Sequence, residues 1–243
     1  MKLISNLNLL CRFKLACSAA VIGLLSMSPG AHAQEYCQGA TGTHNNYFFT
    51  HYTNSQGTGC INLLPGGQYS YRWNGWVWDG SRWNMSYNNV VGGKGWNPGS
   101  SSRVINYNAG YYQSWGNSVL GVYGWTQYPL VEYYVVDSWF GWRPPEGPTP
   151  GRGGRMGTVV SDGGVYDLYI VHKSGASIEG YKHFTQYWSV RQSPRALGQN
   201  NRITFQNHVN AWAAQGWNLG QHSYQVLGTE GYHSNGGVNV TVW

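Results

Sequence analysis

Glu132 and Glu230 are two carboxylates set inside aromatic, strand-like segments, Pro129-Leu-Val-Glu-Tyr-Tyr-Val-Val-Asp137 and Tyr224-Gln-Val-Leu-Gly-Thr-Glu-Gly-Tyr232. The chain has only nine acidic residues, so a carboxylate within an apolar run needs a reason. Enclosing an ionised carboxyl costs free energy unless it is paired or put to use. Two of them facing one cleft are what glycoside hydrolysis requires. One, ionised, attacks the anomeric carbon, while the other, kept protonated by its neighbour's charge, protonates the leaving oxygen. Once a covalent intermediate has formed, the second carboxyl becomes the base toward water. Alternate residues of a strand share a face, which places Glu132 with Tyr134 and Val136, and Glu230 with Gly228 and Tyr232. Aromatic company of this kind lets two carboxyl pKa values separate. Either glutamate alone could be a solvated strand-edge residue. Two in matching surroundings argue against that.

Other chemistries find less support. His44, His51, His172, His183, His208, His222 and His233 lack the paired spacing of a helical metal motif, so no metal is expected and most read as surface or hydrogen-bonded. Asp137 and Asp167 fall near strand ends and read as structural. There is no Gly-x-Ser-x-Gly elbow. The Gly-rich part of Arg143-Pro-Pro-Glu-Gly-Pro-Thr-Pro-Gly-Arg-Gly-Gly-Arg155 lacks the Lys-Ser/Thr ending of a phosphate loop and reads as a surface loop near one end of a sheet.

The elements that must position the glutamates are short alternating segments divided by Gly, Asn and Ser turns, such as Gly67–Trp73, Val104–Ala109, Val119–Trp125 and Gly164–Ile170. That pattern predicts an all-β sandwich or jelly roll in one domain. One stretch departs from it. Phe205 to Gly216 places Val209, Trp212 and Ala213 at helical spacing before a Gly stop, which predicts one short helix outside a sheet. Trp73 to Trp83 reads as a Trp-dense loop that either extends a sugar-binding surface or covers a sheet edge.

Residues 1–33 read as a secretory signal: Lys2, Arg12 and Lys14, an apolar run from Leu15 to Met27, and Ala31-His-Ala33 before Gln34. The run is too short for a membrane span, and Lys14 stands where a lipoprotein pattern before Cys17 needs an apolar residue. The mature domain, 34–243, keeps Cys37 and Cys60. In an exported protein these imply one disulfide to the second strand, the alternative being two free thiols. Three basic residues leave with the signal, and the remainder form no run that could track phosphates, so nucleic acid is a poor partner. Thirteen Trp and nineteen Tyr exceed what such a core requires. Flat faces with polar tips suit sugar rings, although sheet packing also favours them.

These segments resemble glycoside hydrolase family 11, the small endo-1,4-β-xylanases. The resemblance rests on Pro129 to Trp139, Thr229-Glu-Gly-Tyr232, Gly93-Lys-Gly-Trp96, Tyr123-Gly-Trp125, Arg143-Pro-Pro145, Ser161-Asp-Gly-Gly164, Phe184 to Gln192 and Asn239 to Trp243, in that family's order over roughly the whole mature chain. It implies a β-jelly roll of two twisted antiparallel sheets with one short helix and a thumb over the cleft. It also implies Glu132 as nucleophile, Glu230 as acid/base, and a retaining, secreted, cofactor-free monomer acting on xylan without a membrane anchor. Tyr123 and Tyr134 match residues contacting the sugar and nucleophile, and Gln186, Asn117, Trp125 and Tyr232 match cleft positions. Ser177 and Ile178 match the thumb tip. Tyr52 stands where the family usually has a stacking Trp. Asn89 matches the partner of the acid/base, and an amide there implies a near-neutral to mildly alkaline optimum. Lys173 and Ala176 depart from the family's Arg and Pro, so a looser thumb is expected. The rival readings are a jelly-roll glucanase and a non-catalytic carbohydrate-binding protein.

Overall fold

The computed structural model describes residues 33–243 apart from 55–57, 79, 86 and 146–153. Residues 1–32 of the expected signal, and most of the Pro/Gly-rich loop, lie outside the described residues. The strands run in chain order as β1 Gln34–Tyr36, β2 Ala40–His44, β3 Tyr47–Thr53, β4 Thr58–Leu63, β5 Gln68–Asn74, β6 Trp76–Trp78, β7 Trp83–Met85 and β8 Asn89–Trp96. They continue as β9 Val104–Gln127, β10 Val131–Phe140, β11 Gly157–Ser161, β12 Gly164–Ser177, β13 Gly180–Arg191, β14 Asn200–Thr204 and β15 Gln221–Val242, with helix α1 at Phe205–Ala213.

Two strands are long enough to serve two layers. Residues 225–232 of β15 lie between β8 and β9, whereas residues 235–241 lie between β5 and β9. The change of neighbour falls at a bulge between Tyr232 and Ser234. One layer is therefore β2-β3-β8-β15-β9-β10-β13-β12-β11, and the other is β1-β4-β5-β15-β9-β14. The result is the expected jelly roll, continuous through β9 and β15 and not closed. The pairing departs from the expected all-antiparallel sheets at one place, since β10 and β13 run parallel. Parallel neighbours need a long crossover, and the connection from β10 to β11 carries the chain back before the β11–β12–β13 meander begins.

Alternation decides what each layer faces. Tyr133 and Val135 of β10, Tyr187 of β13 and Leu227 of β15 enter the core between the layers. Tyr134 and Val136, Trp188 and Val226 face the opposite side. Gly231 is required next to Glu230, because a Cβ there would lie 2.5 Å from the Trp73 indole nitrogen. Asp137 is fully buried and accepts hydrogen bonds from Tyr107, Tyr166 and Arg195, tying β9, β10 and β12 to the following loop.

Several expectations need correcting. The helix buries Phe205, His208 and Trp212 rather than Val209 and Ala213, and Ala213 is exposed. The large rings decide the facing, since Phe205 and Trp212 both pack on Tyr133. Trp73 to Trp83 is no simple loop: Trp73 belongs to β5, and β6 and β7 pair as a separate hairpin. The Cys37–Cys60 disulfide forms, but it reaches β4 rather than the second strand, the strand that β1 also pairs. His208 is neither surface nor hydrogen-bonded. It is fully buried, both ring nitrogens lack a partner, and its ring meets Tyr166 edge-on at 4.7 Å.

Burial pushes the His208 imidazole down from 6.5 to about 3. The folded state therefore binds this proton less readily than the unfolded state. The His208 contribution to stability is full above pH 6.5 and falls as pH drops toward 3. His208→Phe, which keeps a ring in the site, should flatten the decline in melting temperature between pH 6.5 and 3, as read by circular dichroism melts.

Candidate active site

The outward face of the β8-β15-β9-β10-β13-β12 layer forms a cleft of about 880 Å³. Glu132 is the second residue of β10, and register sets Trp125 of β9 on one side of it and Gln186 of β13 on the other. Glu230 comes from β15, between Val91 of β8 and Val119 of β9. Both carboxyls line the same cleft.

Glu132 is 7% exposed and accepts three hydrogen bonds. Tyr123 Oη donates to Oε1 at 2.9 Å, Tyr134 Oη to Oε1 at 3.0 Å, and Gln186 Nε2 to Oε2 at 2.5 Å. Each donor is itself fixed. Trp125 Nε1 donates to Tyr123 Oη at 2.7 Å, Trp188 Nε1 donates to Gln186 Oε1 at 3.3 Å, and the Tyr134 ring stacks on Trp188 at 3.7 Å and 2°. Glu230 accepts from Asn89 Nδ2 at 3.1 Å. The two carboxyls are near enough that the charge of Glu230 acts on Glu132.

Burial is the first cause that raises both carboxyls above their ordinary range. Glu132 is pushed up to about 7, with the charge of Glu230 adding to burial and the three donors opposing it. For Glu230 the Asn89 and Tyr134 hydrogen bonds and the Lys173 ammonium oppose burial. Two carboxyls this close titrate as a pair, so one negative charge is held over the neutral range. Three donors aimed at Glu132 make it the better seat for that charge. A nucleophilic carboxylate beside a protonated acid is the chemical state this arrangement provides.

Every residue anticipated for binding lies on the cleft wall. Tyr52, Asn89, Tyr232 and Asn117 stand at one end, where Tyr232 pairs with both asparagines, Tyr123, Trp125, Tyr134 and Gln186 line the floor, and Lys173, Ser177 and Ile178 belong to the β12–β13 hairpin. Asn117 also accepts from Trp142 N at 3.1 Å, fixing the turn that brings Trp142 to the wall. The expected loose thumb has ties at its tip. Ser177 Oγ donates to Gly180 O at 2.7 Å and accepts from Glu179 N at 3.0 Å, and Glu179 Oε1 accepts from Gln127 Nε2 at 2.7 Å. The sequence reading missed Trp188, Phe184 and Tyr224 as cleft residues. Alternation would have found them, since Phe184 and Trp188 share parity with Gln186, and Tyr224 with Glu230.

The sequence matches the family model for glycosyl hydrolases family 11 over residues 44–241. It is 46% identical over 206 residues to endo-1,4-beta-xylanase 3 of Pyricularia oryzae, covering 84% of this chain and 79% of that one. It is 40% identical over 231 residues to a probable endo-1,4-beta-xylanase B of Aspergillus clavatus, covering 92% and 95%. It is 41% identical over 235 residues to a bifunctional xylanase/xylan deacetylase of Cellvibrio japonicus, covering 96% of this chain and 33% of that longer protein.

Two outcomes follow from the carboxyl pair. Both carboxyls are raised, Glu132 to about 7 against 4.5 as an ordinary side chain, so the folded pair keeps a proton that the unfolded chain has lost, and its contribution to stability falls as pH rises through that window. Glu132→Gln should therefore melt higher than the parent at pH 8, by roughly 1–3 kcal/mol, with the gap closing near pH 4.5. Asn89→Asp would put a second carboxyl beside Glu230 to share its proton. The acid limb of the pH–rate profile should move to lower pH, and an unmoved limb would count against this role for Asn89.

Proposed function

The chain belongs to glycosyl hydrolases family 11, and on that premise we propose that it is a secreted endo-1,4-β-xylanase cutting internal bonds of xylan with retention of configuration. The observation that carries this reading is the pair of carboxyls in one cleft, Glu132 gripped by three donors and Glu230 by Asn89. The repulsion between them favours the short spacing of retaining enzymes over the wider gap that admits a water.

In the first step the Glu132 carboxylate attacks the anomeric carbon while Glu230 gives its proton to the glycosidic oxygen. The C–O bond breaks, the shortened chain leaves as an alcohol, and a glycosyl ester remains on Glu132. That ester carries no charge, so nothing on Glu132 any longer opposes ionisation of Glu230. In the second step the Glu230 carboxylate takes a proton from water as the water oxygen attacks the anomeric carbon. The ester opens, Glu132 returns as carboxylate, and Glu230 is protonated again. Tyr123, Tyr134 and Gln186 stabilise the departing carboxylate without moving, which lowers reorganisation in both steps.

The substrate assignment rests on the aromatic character of the cleft and on the names of the relatives. Tyr52, Trp125, Tyr134, Tyr232 and neighbouring amides offer flat faces and neutral hydrogen bonds, which suit an uncharged polysaccharide. Export rests on the signal read in residues 1–33.

Purified mature protein should release reducing ends from xylan much faster than from cellulose. Glu132→Gln should lose activity by roughly 10⁴-fold or more while staying folded. Comparable rates on cellulose would make it a glucanase, and binding without release would leave a carbohydrate-binding protein.

A further inference from the structure

The β6–β7 excursion is fastened to β15 on both flanks. Gly75 abuts Asn88 and Ser234, where a Cβ would come within 2.6 Å of Asn88 Oδ1 and 2.7 Å of Ser234 O. The buried Asn88 accepts from His233 N at 3.0 Å and from Ser234 N at 3.1 Å, and donates from Nδ2 to Ser234 O at 3.0 Å. On the cleft side, Asn54 Nδ2 donates to Tyr87 O at 2.8 Å. Tyr87 is thus held beside the Tyr52 and Tyr232 end of the cleft by bonds to its neighbours' backbone and its own carbonyl. Its ring is 72% exposed.

The residue beneath that ring is in an uncommon conformation. His233 has φ 47° and sits in the bulge of β15. In a regular strand the rings of Tyr232 and His233 would point to opposite faces. Here they stack at 3.9 Å and 20°, and Tyr87 meets His233 edge-on at 4.5 Å. Non-glycine residues in the left-handed region are strained, and bulges beside active sites re-aim side chains. This strain yields an aromatic step from Tyr232 through His233 to Tyr87, continuing the wall past the enclosed cleft.

The geometry points to Tyr87, backed by His233, as an added contact for a β-1,4-linked pentose chain beyond Tyr52 and Tyr232, one that favours long chains over short ones. It deepens the xylanase reading and rests on it. A sugar ring laid on the free phenol face buries apolar C–H surface, while its hydroxyls stay in water or meet neighbouring polar groups.

The test measures dissociation constants of xylohexaose and xylotriose for Glu132→Gln and for Glu132→Gln/Tyr87→Ala, a background without turnover. Removing the ring should weaken hexaose binding by roughly 3- to 10-fold, with the loss confined to the longer oligomer. Glu132→Gln/Tyr87→Phe, which keeps the flat ring, should retain the original hexaose-to-triose ratio. Equal weakening at both lengths, or none, overturns the proposal. Failure of the parent protein to release reducing ends from xylan would overturn the enzymatic reading separately, and a length-dependent loss in Tyr87→Ala would still uphold the aromatic step.

Discussion

The structure depends on keeping a negative charge in a dry place. A carboxylate enclosed among aromatic side chains is costly, and repulsion from a second one nearby adds to that cost. The sheet answers with donors rather than with a strong ion pair. Tyr123, Tyr134 and Gln186 converge on Glu132 from β9, β10 and β13, so three adjacent strands must be in register before the charge is accommodated. Trp125 and Trp188 hold those donors in turn through their own indole N–H groups. Much of the aromatic excess in the composition is accounted for here, as rings that exclude water and also carry the hydrogen bonds that water would have made.

The rest of the architecture serves that convergence. β10 sits inside the cleft layer, flanked by β9 and β13, where both neighbours can reach its side chains. Its core-side residues, Tyr133 and Val135, fix it against the opposite layer and α1. Asp137, further along the same strand, is a buried acid of a different kind. Arg195 and two tyrosines hold it, and it organises a junction on the side away from the cleft. Two acidic residues five positions apart thus have unlike fates because opposite strand parity sends them to opposite faces.

Alternation within aromatic runs made the fold class, both glutamates and most of the cleft legible in the sequence. Resemblance supplied the residues that alternation does not single out, such as Asn89 and Asn117. Features that depend on long-range partners were not legible. The helix pattern placed Val209, Trp212 and Ala213 on the buried side; Trp212 is buried and Val209 partly so, but packing on Tyr133 turns Phe205 inward and leaves Ala213 exposed. The β6–β7 hairpin was hidden because Trp and Asn in a Gly-punctuated stretch carry no clean period. The parallel β10–β13 pairing was hidden because strand direction follows from connections and not from local composition. His208 shows the converse: its polarity suggested a partner, and only the packing reveals that it has none.

The place of β15 in chain order bears on how the protein is made. Every other strand precedes it, yet it pairs with β5, β8 and β9 and links both layers, and it also brings Glu230. Val240 pairs with Tyr69 across most of the domain's length. Neither layer can complete its pairing, and Glu230 cannot join Glu132, until this strand has emerged. Such a topology delays compaction of a growing chain and folds slowly by non-local closure. A polypeptide of this kind stays open during synthesis, and the paired-carboxyl state belongs only to the closed domain.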